Sequence, residues 1–423
     1  MKQSLFILTT ILILLSLCTK SKTSSQENKI ATVTKNKKDT NSLNNSATNN
    51  IPQENKYFPF SAIKVAVGGK HSLIVDSDST VWVSGCNEYG QLGIGDTVSN
   101  IVHFRKIMDG ACDVAAGNNH SLILKGDGSL WAAGENSLGQ FGTNDKDRSL
   151  VFVKISTDVA AIAAKGYCSM IIKRDSTLWV AGKNDNYYFG IGKYDPRKDE
   201  GYIRTFKKVM SSVHSVSIGD LHSLVLKYDG TVWGAGDNRY DQLGFVDTST
   251  QESNSTYQTY TYEFVELTTD AIAIAAGGYH SLILKKDSTL WATGWNEYGQ
   301  LGTGDNNDRH GFEMVLSKVL AIAAGNRMTF ALRTDSILWA TGGNGYGDNP
   351  KYDDYDNKER TLFRRDLENV RSIATSWDAQ GTFQGFSLAI KNDGTVWGFG
   401  GDGWGVFGRG ISELGSWSEL QHM

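Results

Sequence analysis

From about residue 60 onward, apolar and polar positions alternate in short runs rather than at helical spacing. The segments HSLILK at 120–125 and STLWATG at 288–294 are rich in β-branched and aromatic residues. Each is too short for an amphipathic helix, and they read as half-buried strands. Asp-Gly or Asp-Ser joins the first kind of run to the second, which signals a tight hairpin. A small-residue strand such as Ala-Ile-Ala-Ala-Gly precedes the pair, and a run such as Phe152-Val153-Lys154-Ile155 supplies a fourth strand.

This unit recurs seven times, beginning at Val65, Val114, Ile162, Val216, Ile274, Ile322 and Ile373. Trp82, Trp131, Trp179, Trp233, Trp291, Trp339 and Trp397 keep its register, 48 to 58 residues apart. Four strands per unit of this length fit a propeller blade. The pattern predicts an all-β chain, a seven-bladed β-propeller of four-stranded antiparallel blades over residues 56–423. The taper toward an axis explains why the first strand carries Ala115-Ala116-Gly117 or Ala275-Ala276-Gly277. An open solenoid would need polar terminal repeats, and the end units here are as apolar as the middle ones. The outer strand of the last blade could come from about Ser416 to Gln421 or from Tyr57 to Phe60.

Three features carry a family resemblance. They are the Gly-x-x-His-Ser step (Gly68 to Ser72, Gly277 to Ser281), the Asp-Gly/Ser-Thr-x-Trp turn, and the tail Gly-x-Asn-x-x-Gly-Gln-Leu-Gly (Gly294 to Gly302). This unit resembles the repeat of the regulator of chromosome condensation family. The resemblance implies a seven-bladed propeller. It does not fix a function, because that family includes a nuclear exchange factor for a Ran-type GTPase, β-lactamase inhibitors and many bacterial members.

Composition agrees with β structure: 46 Gly, 4 Pro, 11 Trp, 17 Tyr and 17 Phe. A net charge of −4 gives no basic bias toward nucleic acid. Cys18, Cys86, Cys112 and Cys168 show no metal spacing and fall at different repeat positions, which argues against a disulfide framework. The N-terminus stands apart. Lys2 precedes an apolar run from Leu5 to Leu17, short for a membrane span and suited to a signal peptide. It ends in Leu15-Ser16-Leu17-Cys18, which resembles a bacterial lipobox, although Leu17 stands where a small residue is usual. Residues 1–18 are therefore expected to be a signal peptide with lipidation at Cys18. Residues 19–55, rich in Ser, Thr, Asn and Lys, are expected to form a disordered tether. The chain would then be exported and lipid-anchored in a bacterial membrane, on the periplasmic or cell-surface side.

His71, His120, His222 and His280 share one repeat position beside Ser72, Ser121, Ser223 and Ser281. Residues repeated around a ring read as scaffold, and Cys168, Met328 and Phe386 replace the histidine in the other units, which argues against a metal ring. The tails 302–308 and 142–147 look faintly like calcium loops but lack the alternating-acid register. No Gly-x-Ser-x-Gly, HExxH or Walker lysine occurs, and Gly343 to Gly347 opens no recognisable helix. The reading is of no enzyme, no cofactor and no metal.

Regularity fails in four insertions: Lys193 to Phe206, Phe245 to Tyr262, Asn344 to Leu362, and Ser376 to Gly385. The first three fall between third and fourth strands and the last between first and second, so all four should share one face. They carry Tyr194, Tyr202, Tyr257, Tyr260, Tyr262, Tyr346, Tyr352, Tyr355, Trp377 and Phe383 among polar residues. Aromatic anchors among adaptable polar groups resemble a binding surface. The sequence thus points to a monomeric, non-enzymatic module that binds a protein or glycan. The alternatives are nucleotide exchange on a small GTPase, as the resemblance suggests, and inhibition of a secreted enzyme.

Overall fold

The computed structural model describes residues 58–59, 61–145, 147–193, 201–245, 260–343, 361–375, 385–401, 404–408 and 413–422. These form seven antiparallel sheets and, among the described residues, no helix. Blade 1 comprises Ala62–Val67, His71–Asp76, Val81–Cys86 and Asn100–Met108, paired in that order from the axis outward. The same four-strand order recurs in blade 2 (111–156), blade 3 (159–210), blade 4 (213–268), blade 5 (271–316), blade 6 (319–368) and blade 7 (370–422). The expected all-β, seven-bladed propeller is the observed fold.

Both candidates for the closing strand take part. Glu413–His422 is the fourth strand of blade 7, and Phe58–Pro59 pairs outside it through Phe58↔His422 and Pro59↔Gln421. The first and last blades also share an apolar cluster: Phe386, Leu388, Ile390 and Phe407 meet Ala62, Ile74 and Phe104. Seven such clusters, each built from neighbouring blades, replace a single central core. The axis itself is a channel of about 310 Å³ lined by the inner strands of all seven blades, mostly Ala, Val and Ile.

Two repeated glycines are dictated by geometry. The last glycine of each described tail meets a ring from the next blade. A Cβ on Gly142 would lie 2.3 Å from the Phe206 ring, and one on Gly302 would lie 2.4 Å from that of Phe363. Gly85 and its equivalents bend the third strand at positive φ, and a Cβ there would strike the Lys70 carbonyl at 2.5 Å. Of the cysteines, Cys86 and Cys168 are buried free thiols. Cys18 lies outside the described residues.

Candidate binding face

Gly85 pairs with His71, so the turn between first and second strands and the tail between third and fourth strands leave a blade at the same end. The connections that hold the four insertions therefore all open on one face, in blades 3, 4, 6 and 7. The boundaries need correction. Tyr202 begins the outer strand Tyr202–Met210, and Tyr260 and Tyr262 begin Tyr260–Thr268, so these three are strand residues rather than loop residues. Strand pairing with the preceding strand takes them into the ladder. Tyr194, Tyr257, Tyr346, Tyr352, Tyr355, Trp377 and Phe383 lie outside the described residues.

The histidines form joints between blades. His71 Nε2 lies 2.8 Å from Ser121 Oγ, His120 Nε2 3.0 Å from Ser169 Oγ, His222 Nε2 2.8 Å from Ser281 Oγ, and His280 Nε2 3.0 Å from Thr329 Oγ1. Ser121 and Ser281 donate their own protons to the Gln91 and Gln242 carbonyls, at 2.7 and 2.5 Å. In those joints the imidazole must therefore be the donor, a neutral ring protonated on Nε2. Burial holds the four rings at pKa values of about 3 to 4, well below the usual 6.5. A Cβ on Gly68, Gly117, Gly219 or Gly277 would strike the ring three residues on. Gly, His and Gln thus appear together in blades 1, 2, 4 and 5. Blade 3 departs at all three positions, with Lys165, Cys168 and Tyr188. There the thiol lies 2.7 Å from the Tyr188 hydroxyl, and burial pushes it up to about 12. Without the imidazole, Lys165 fits the glycine position and reaches Asp220 Oδ1 of blade 4 at 3.3 Å. The Asp220 side chain is 2% exposed, and burial raises its pKa.

None of these groups gathers a metal: among the described residues no three His, Cys, Asp or Glu side chains converge. In the faint calcium loop, Arg309 takes both Asp305 oxygens at 3.1 and 2.9 Å, and this holds that carboxyl down at about 2.

The face carries two aromatic groups. At its rim, Tyr187 meets Tyr260 and Tyr262 edge-on at 5.2 and 4.6 Å, with Lys193 over Tyr262 at 5.4 Å. Nearer the axis lies a second group that the insertions do not announce. Tyr240, Tyr279 and Trp295 contact one another at 5.2 to 5.8 Å, and Tyr298 meets Trp295 at 5.2 Å. The guanidinium of Arg327 lies 4.3 Å from the Tyr298 ring centre and 5.9 Å from that of Trp295. All five residues are half-buried. They occupy the free positions of the Gly-x-x-His step and the Gly-x-Asn tail. The signal was present in the sequence as variable places inside an invariant frame.

The RCC1-like domain model matches residues 23–315. The chain belongs to this family. Relatives of this RCC1-like chain include the probable E3 ubiquitin-protein ligase HERC4 of Mus musculus, 34% identical over 24% of this chain and 10% of that protein. The ultraviolet-B receptor UVR8 of Arabidopsis thaliana is 29% identical over 22% and 20%. The matched stretch is thus a fifth or less of either relative. Among solved structures, Prp20p of Saccharomyces cerevisiae, described with its binding to Gsp1p and histones, superposes with a TM-score of 0.65 at 21% identity, over 83% of this chain and 87% of that one. Human WBSCR16 gives 0.61 at 19%, over 76% and 85%. At such identities these two likenesses concern the fold.

Proposed function

We propose that this RCC1-like propeller is a non-enzymatic module that binds a protein partner through the insertion-bearing face. One observation carries the reading: the four connections that are lengthened relative to their equivalents in other blades join strands at the same end of the ring, in adjacent pairs that flank blade 5. Tyr, Trp and Arg predominate in the side chains between those pairs, the residue types that dominate binding hot spots. Replacing 246–259 and 344–360 with short Asn-Gly turns should abolish capture of the crosslinked native partner and leave the melting temperature within a few degrees. Undiminished capture by both variants would overturn the assignment of the face.

Nucleotide exchange on a small GTPase is the second reading, favoured by the family match. It requires that the purified chain accelerate nucleotide release from a Ran-type GTPase of the same cell.

We further propose export and a lipid anchor at Cys18, supported by the apolar run Leu5 to Leu17 and the lipobox-like Leu-Ser-Leu-Cys that ends it. The full-length chain should partition into detergent and Cys18→Ala should remain in the aqueous phase. Equal partitioning of the two would remove the anchor from the reading.

A further inference from the structure

The aromatic group near the axis carries a cation that the fold packs against rings, as it does Lys70 over Trp404, but leaves without an acceptor at Nε. Arg327 projects from the turn between the first and second strands of blade 6 onto rings supplied by blade 5. Its Nε is buried with no hydrogen-bond partner, and among the described residues no carboxylate lies within ion-pair distance. Arg333 shares the unpartnered Nε but lies over Trp339 at 5.0 Å, where other blades place a lysine over the same tryptophan position; two other arginines meet carboxylates. Arg239 meets Asp237 at 2.6 Å, and Arg309 meets Asp305 and Glu313 at 2.9 and 2.7 Å. A buried donor without an acceptor is costly, and a cation desolvated by rings is more so.

We infer that the Tyr240–Tyr279–Trp295–Tyr298–Arg327 patch is the seat of an acidic peptide segment of the partner, with Arg327 receiving its carboxylate. This rests on the reading of the face as a protein-binding surface. A guanidinium laid over aromatic rings keeps its hydrogen-bonding edge free and offers the fork geometry that a carboxylate accepts in bidentate fashion. The rings on either side supply rigid apolar area at little entropic cost. Cations lie over other aromatics of the same face, Lys193 over Tyr262 and Lys70 over Trp404, while Asp220, Asp237 and Glu297 adjoin the patch, so the place of an anion is set by Arg327 itself rather than by a uniform positive field. The patch is an open cluster of half-buried side chains rather than an enclosed cavity. That suits an extended peptide better than a small sugar acid.

The test is selection of a displayed random nonapeptide library on the full chain, followed by affinity measurement on synthetic peptides. Enriched peptides should carry Asp or Glu at a fixed place. Amide replacement of that residue should weaken binding by about tenfold or more. Arg327→Gln should weaken the acidic peptide to the same extent and abolish the difference between acid and amide. Arg327→Lys should restore part of it. Trp295→Ala should weaken both peptides alike. Melting curves accompany each variant, and Arg327→Lys keeps the test sound should Arg327→Gln fold poorly. The inference falls if no peptide enriches, if enriched peptides lack an acidic bias, or if Arg327→Gln binds like the parent. It falls equally if oligoglucuronate displaces the peptides at lower concentration than they bind, or if the patch serves only to pair two copies of this chain. Should the loop replacements abolish partner capture while Arg327→Gln leaves it intact, the face survives as the interface and this seat does not.

Discussion

Each buried histidine sits against a glycine and a hydroxyl of the next blade, and in the joints of His71 and His222 that hydroxyl donates on to a tail carbonyl. This chemistry makes the ring sensitive to acid. In the unfolded chain these imidazoles protonate near pH 6.5, and in the folded chain only near 3 to 4. The folded pKa is depressed, so the stabilisation is complete above pH 6.5 and is lost as pH falls toward 4. At pH 5 each histidine withdraws about 2 kcal/mol, and four together withdraw about 8, comparable with the whole stability of an ordinary domain. Urea titrations from pH 7 to 5 should show this decline. His280→Met, which gives blade 5 the residue of blade 6, should reduce the slope between pH 6 and 5 by about 1 kcal/mol per pH unit. Identical slopes for the two proteins would show that His280 does not titrate between the states.

Within a blade, the hairpin between second and third strands carries a second repeated network. Trp179, Trp233, Trp291 and Trp397 donate from Nε1 to the threonine two residues earlier at 2.8 to 3.0 Å. Those threonines donate in turn to Asp175, Asp229, Asp287 and Asp393 at 2.5 to 2.7 Å. A cation from the end of the second strand covers the ring, as Lys227 does over Trp233 at 3.9 Å and Lys391 over Trp397 at 3.6 Å. Blade 6 breaks the network: Ile337 stands at the threonine position, and the Trp339 Nε1 is buried without a partner. Ile337→Thr keeps the β-branch and supplies the acceptor, so it should stabilise the protein by about 1 kcal/mol. The urea midpoint checks this, and an unchanged or lower midpoint would refute it. The sequence made the hairpin and its Asp-Thr-x-Trp register legible. The polar half of the tryptophan's role was not legible there, because hydrogen-bond direction does not appear in periodicity.

At the scale of the whole ring, blade number and strand order could be read from the repeats, since seven copies of one pattern leave little freedom. The closing strand could not, because Glu413–His422 and Phe58–Pro59 both carry strand signals and the structure uses both. The binding face was legible only in part. Insertion placement followed from strand alternation, but the Arg327 cluster takes three residues from blade 5 and one each from blades 4 and 6, and becomes a unit only when those blades pack together. The pairing of Phe58 with His422 also has a practical consequence. Both ends of the described chain lie on the hairpin side, opposite the insertions. An affinity tag or fusion partner joined close to Phe58 or His422 therefore holds the molecule from behind. The insertion side stays turned outward to whatever approaches, and immobilising this propeller by its ends should not mask the surface on which a ligand would land.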